Sequence, residues 1–171
     1  ESNVKLPSEF GFGLSYGKRE EQIANYAWLV TGDVELYSGE EYLNYDNTSP
    51  LNNSYKLELG GYIVPKYAFK GLNRSNSYLG KVEYRLGAFY GKTPLTLSGV
   101  DIYNYGITFG FGLPVRARNL APGEKKINTI NAGLVLGRRG TLSNGLIQEN
   151  YLNIFIGITL NDKWFIKYKY R

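Results

Sequence analysis

The side chains able to do chemistry are few. Asp33, Glu35, Lys56, Glu58, Lys81, Glu83 and Arg85 fall at alternate positions in three stretches. Paired carboxylates can share acid and base work when their surroundings separate their pKa values. The same spacing equally serves cross-strand ion pairs along a charge-balanced wall, or a polar gate. The chain has no His and no Cys. The commonest general base, the commonest metal ligand and all thiol chemistry are therefore missing. No convergent pocket is legible among the charges. The chain reads as a non-enzyme, with no catalytic residue, metal site or cofactor expected.

Gly106, Gly110 and Gly112 in "YGITFGFGLPV" raise a second possibility, a phosphate-cradling loop. Such a loop needs a strand, a glycine turn and then a helix. Here alternation runs straight through the glycines, and Pro114 and Arg116 follow without a helical period. The glycines form one face of a strand.

Period two governs the rest of the chain. "EFGFGLSYG", "YAWLVTGDVELY", "YKLELGGYI", "KVEYRLGAFYG", "YNYGITFGFGLPV", "NTINAGLVLGRR", "YLNIFIGITL" and "KWFIKYKYR" each set an apolar row against a row of small or polar residues. That predicts about eight strands of about nine to twelve residues, with no convincing helix. Tyr84, Tyr90, Tyr103, Tyr105, Trp164, Tyr168 and Tyr170 cluster toward the ends of the apolar rows. Aliphatics at mid-strand and aromatics with polar tips at the ends make the girdle pattern of membrane barrels. The strand lengths also suit a tilted bilayer crossing. Mean hydropathy of −0.32 does not oppose this, because lipid-facing and lumen-facing residues cancel. A secreted β-sandwich with long strands is the competing soluble reading.

The small-residue face is then the lumen. Its candidate lining residues are Gly106, Thr108, Gly110, Gly112, Gly133 and Gly137, with Glu58, Glu83 and Arg85. An eight-stranded barrel closes on an interior filled by side chains. A glycine row is expected to leave room there, for another segment, for a ligand, or because the barrel is wider. Glycines at bends are the simpler alternative.

"YGITFGFGLPVR" followed by "INAGLVLGRRGTLSNGLIQENYLNIFIGITLNDKWFIKYKYR" resembles the C-terminal end of Bacteroidota outer-membrane barrels of the FadL-like (long-chain fatty acid transport) superfamily. "KLPSEFGFGLSYGK" and "YRLGAFYGKTPLTLSGVDI" extend the resemblance. It implies an all-β, antiparallel transmembrane β-barrel. Residues 1–171 would form one domain, the C-terminal part of a barrel of about fourteen strands. The absence of Met from the chain fits a processed product or a fragment. The implied function is passage of hydrophobic small molecules across the bacterial outer membrane. A structural, plug or gating subunit of a type IX secretion or other envelope complex stands beside it, and a small closed barrel with an adhesion or stabilising role is a third reading. Expected partners are outer-membrane lipid, a hydrophobic ligand and other outer-membrane complex subunits. No nucleic acid is expected: in "KWFIKYKYR" the alternation sets Lys167 and Lys169 away from the face of Trp164 and Tyr170.

Overall fold

The computed structural model describes residues 5–19, 26–41, 51–65, 78–116 and 127–159. These hold seven strands: β1 (Glu9–Arg19), β2 (Tyr26–Tyr37), β3 (Ser54–Ile63), β4 (Glu83–Leu97), β5 (Val100–Arg116), β6 (Ile127–Gly140) and β7 (Gln148–Thr159). Each pairs antiparallel with the next, in one sheet of order β1-β2-β3-β4-β5-β6-β7. Three short 3-10 helices, Gly39–Glu41, Tyr78–Lys81 and Ser143–Gly145, lie between strands. No described helix is long and apolar enough to cross a membrane, which says nothing about crossing by strands.

The alternation read from the sequence survives pairing. Leu14 faces Gly32, which faces Leu59, then Ala88, Ile107, Leu136 and Leu152. Every apolar row therefore lands on the same face of the sheet. This is the outcome that a one-residue slip at any pairing would destroy.

That face is uncovered. Among the described residues the buried hydrophobic side chains are Val64, Val82 and Ile102. Phe12 is 73% exposed and Ile156 80%. A soluble sandwich would bury such a row against a second sheet, and the described residues supply none.

The apolar band also slants across the strands. The row Lys18, Trp28, Ile63, Tyr84, Phe111, Ala132, Ile156 runs from charged through aromatic to aliphatic. The row Phe12, Val34, Leu57, Tyr90, Tyr105, Arg138, Asn150 runs the opposite way. Tilted strands crossing an apolar slab require this drift.

Two boundaries differ from the sequence expectation. Lys81 was expected on a strand, but it closes the 3-10 helix Tyr78–Lys81, and β4 begins at Glu83. Val82 between them is 2% exposed, unlike the open apolar row, and its N donates to Leu79 O of that turn at 3.3 Å. At its other end β4 continues through Pro94 to Leu97, past the expected stop at Gly91. The pairing shifts register between Lys92 and Thr96, and such an irregularity is where a strand tolerates proline. The expected eighth strand, at 163–171, lies outside the described residues. Within the described sheet β1 and β7 are the edges, so no closed barrel is formed by these residues alone.

The β4–β5 hairpin turns on Ser98 and Gly99, with φ of 50° and 73°. Two consecutive positive φ values match the two-residue turn whose twist suits paired strands. A Cβ at Gly99 would meet nothing within 4 Å, so the glycine is needed for its backbone alone. Gly99→Ala should cost about 1–2 kcal/mol, and Ser98→Asn should be neutral or stabilising. Urea unfolding of the refolded protein checks both. Unchanged stability in Gly99→Ala contradicts the turn.

Candidate functional site

The nine expected lining residues share the face opposite the apolar rows. Glu58 is on β3, Glu83 and Arg85 on β4, Gly106, Thr108, Gly110 and Gly112 on β5, and Gly133 and Gly137 on β6. Register brings most of them into one patch. Arg85 faces Gly110, which faces Gly133; Gly106 faces Gly137. Glu58 stands apart, opposite Asp33 and Phe89.

Part of the room expected over the glycines is taken by neighbouring side chains, while Gly157 stays open. A Cβ on Gly106 would meet the tip of the Phe89 ring at 2.8 Å. One on Gly137 would collide with the ring of Tyr151. One on Gly133 would touch Phe155 at 3.9 Å, and one on Gly87 would meet the Thr108 hydroxyl at 2.7 Å. Gly110 and Gly112 are buried. Gly110 lies under the stem of Arg85, with Cβ at 3.2 Å, and Gly112 lies near its Nη2, at 3.4 Å. Large residues on one strand thus lie across glycines on the next, while cavities of about 370 Å³ beside Gly110 and Gly133 and about 610 Å³ beside Gly106 and Gly137 remain over the same face.

Arg85 depends on this arrangement most. Its Nε donates to Glu83 Oε1 at 2.5 Å. Its Nη2 reaches over β5 to Asn131 Oδ1 on β6, at 3.0 Å. Asn131 Nδ2 then donates to Thr159 Oγ1 on β7, at 3.1 Å. A side chain at Gly112 would stand in the path. Tyr151 makes a second crossing, its hydroxyl donating to Asn104 Oδ1 on β5 at 2.9 Å.

The remaining charges form a local set. Lys56 Nζ lies 2.9 Å from Glu58 and 3.8 Å from Glu35 across the β2–β3 pair. The Thr31 hydroxyl donates to Asp33 at 3.2 Å. These groups are half-exposed, so the pairs contribute about 0–1 kcal/mol each. Of the expected cross-strand ion pairs, Lys56–Glu35 forms, while Arg85 and Lys56 otherwise pair within their own strands. Among the described residues no group of three or more His, Cys, Asp or Glu is placed to hold a metal.

Sequence reasoning missed Tyr151, Asn131 and Thr159 as partners in these crossings. Phe89, Tyr151 and Phe155 were the available signal, because each is a large residue in the small-residue phase of the alternation.

A second feature sits at the rim that holds the Ser98–Gly99 turn. Hydrogen bonds link neighbouring segments around it. Ser38 N donates to Ser8 O at 2.9 Å, Glu40 N to Asn53 Oδ1 at 3.4 Å, Asn52 N to Pro94 O at 2.9 Å, and Asn144 Nδ2 to Ser98 O at 3.3 Å. Asn52 Nδ2 also bonds Thr96 Oγ1, which donates to Asp101 at 3.1 Å. Lys92 Nζ, 2.8 Å from Asp101, together with the Thr96 hydroxyl, holds the Asp101 carboxyl below its usual range. The same contact with Asp101 raises Lys92. Beyond this ion pair stand Leu95 and Leu97, each about half exposed, with Leu142 and Ile147 more exposed in the β6–β7 loop.

A family model described as BamG matches residues 1–171, and the chain belongs to that family. No curated protein and no solved structure matches the chain.

Gly137→Ala should push the Tyr151 ring off Asn104 and cost about 1–3 kcal/mol by overpacking. Adding Tyr151→Ala should recover part of that loss, so the double variant costs less than the sum of the two singles. Urea unfolding of the three variants measures it. Strict additivity would mean that Tyr151 does not cover Gly137.

Proposed function

We propose that this BamG-family chain is an outer-membrane β-barrel protein that serves as a structural subunit of an outer-membrane assembly complex. The observation that carries the choice of subunit over conduit is the covered glycine face. Passage of a hydrophobic molecule, the function implied by the FadL-like resemblance, needs an open path along that face. Phe89, Arg85 and Tyr151 lie across Gly106, Gly110 and Gly137, so the face is a wall tied by side chains and narrowed where such a path would run. The family name points to assembly machinery and favours the same choice.

Membrane location rests on the exposed apolar face and its aromatic ends. Tyr16 packs edge-on against Trp28 at 5.6 Å, and Tyr84 against Phe111 at 5.8 Å, near one end of the rows. Tyr90 stacks on Tyr103 at 5.8 Å near the other. Two aromatic levels bracketing aliphatics match the interfacial girdles of barrels. An apolar face of this extent is unstable in water without a cover.

In an antiparallel meander β1 and β7 run in the same direction, so they cannot pair antiparallel with each other. An antiparallel closure therefore needs further strand between them. The rim with the Ser98–Gly99 turn lies at the end of the sheet where β1 begins.

At that rim Leu95, Leu97, Leu142 and Ile147 are exposed, on the far side of the Tyr90–Tyr103 level from the aliphatic rows, which on the membrane reading is the aqueous side. Exposed aliphatics on a braced aqueous rim are the surface a partner subunit would cover. Leu97→Ser with Leu142→Ser should leave membrane insertion intact and release the chain from the other subunits of the complex in a tagged pull-down from outer membranes. Full retention of those subunits overturns the rim as their contact. Uptake of a labelled long-chain fatty acid that depends on this chain overturns the subunit reading in favour of passage.

A further inference from the structure

We infer that a groove on the apolar face, over β2, β3 and β4, binds one acyl chain of a bilayer lipid. The inference rests on the membrane reading above. The groove has a volume of about 780 Å³. Its floor is at Gly61, which register sets between Val30 and Leu86. Its walls are Trp28, Ile63, Tyr84 and Ala88, with no charged residue among its lining.

The site is formed before any ligand arrives. The Tyr84 hydroxyl donates to Leu79 O at 3.1 Å, and its ring packs edge-on against Phe111. Trp28 is fixed in the same way against Tyr16. Neither wall needs to be ordered on binding, which lowers the cost of holding a flexible chain. The polar tips of Trp28 and Tyr84 stand at one end, the depth at which aromatic girdles meet headgroups. From Tyr84 to Ala88 the groove runs four residues along β4, about 13 Å. That is close to half the hydrocarbon thickness of about 30 Å, the depth of one leaflet. The occupant follows from what borders the groove. Its lining includes the exposed side chains of Leu59 and Ile107, continuous with Leu57 and Phe109 on the same apolar rows, so the medium that covers those rows also fills it. Its length and the apolar stretch beyond the polar tips of Trp28 and Tyr84 fit a methylene chain.

Ala88→Phe fills the groove from the lipid side, where a larger apolar residue meets no packed core. The probe is a phosphatidylethanolamine with a diazirine near the middle of one acyl chain, in phosphatidylethanolamine–phosphatidylglycerol vesicles holding the inserted protein. Adducts should concentrate on Val30, Ile63 and Leu86. Ala88→Phe should lower that labelling about tenfold, equivalent to losing the burial of about two methylene groups. Ile154→Phe, on the same face away from the groove, should leave it unchanged. Adducts spread evenly over all apolar rows, or insensitive to Ala88→Phe, overturn the site. Labelling replaced by crosslinks to a partner protein also overturns it and assigns the groove to a protein contact. Failure of the wild-type chain to insert would instead overturn the membrane reading beneath it.

Discussion

The structure depends on one constraint, the unbroken phase of six antiparallel pairings. Side chains alternate with period two, so each pairing either preserves or inverts the assignment of faces. Between β1 and β7 every pairing preserves it. The irregularities fall at the ends of strands, between Lys18 and Arg19 and between Lys92 and Thr96. The apolar face is continuous only because the phase is never lost in the middle.

The opposite face exploits the same register differently. Glycines face large residues across strand pairs, so Phe89, Arg85 and Tyr151 can lie flat over the neighbouring backbone. Arg85 is the clearest case. It pairs with Glu83 on its own strand and bonds Asn131 two strands away, because Gly110 and Gly112 leave its path open. The glycines therefore act less as vacant space than as the condition for side chains that tie four strands together. A wall tied across strands in this way suits a rigid subunit.

Much of the fold was legible because alternation is a local signal. "YAWLVTGDVELY" coincides with β2 residue for residue. The extension of β4 past Gly91 was not legible, because Pro94 reads as a stop until the register shift beside it is seen. The burial of Val82 was not legible either, because it follows the 3-10 helix Tyr78–Lys81, a turn that no alternation encodes. For the candidate site, the face of all nine lining residues was readable. Their covering was not, since it depends on which residues stand opposite one another across strands. The pairing of Gly137 with Tyr151 is fixed by the β6–β7 register, with thirteen positions between them in sequence.

The account turns on the apolar face meeting lipid. The chain has no cysteine of its own, so single spin labels report unambiguously. Labels at residues 130–137 of β6, in bilayers, would be compared for collision with oxygen, which concentrates in hydrocarbon, and with a water-soluble nickel chelate. Positions 130, 132, 134 and 136 should be oxygen-rich and shielded from nickel, and positions 131, 133, 135 and 137 should not. Equal accessibility in both phases, or nickel access at Leu134 and Leu136, would contradict the account.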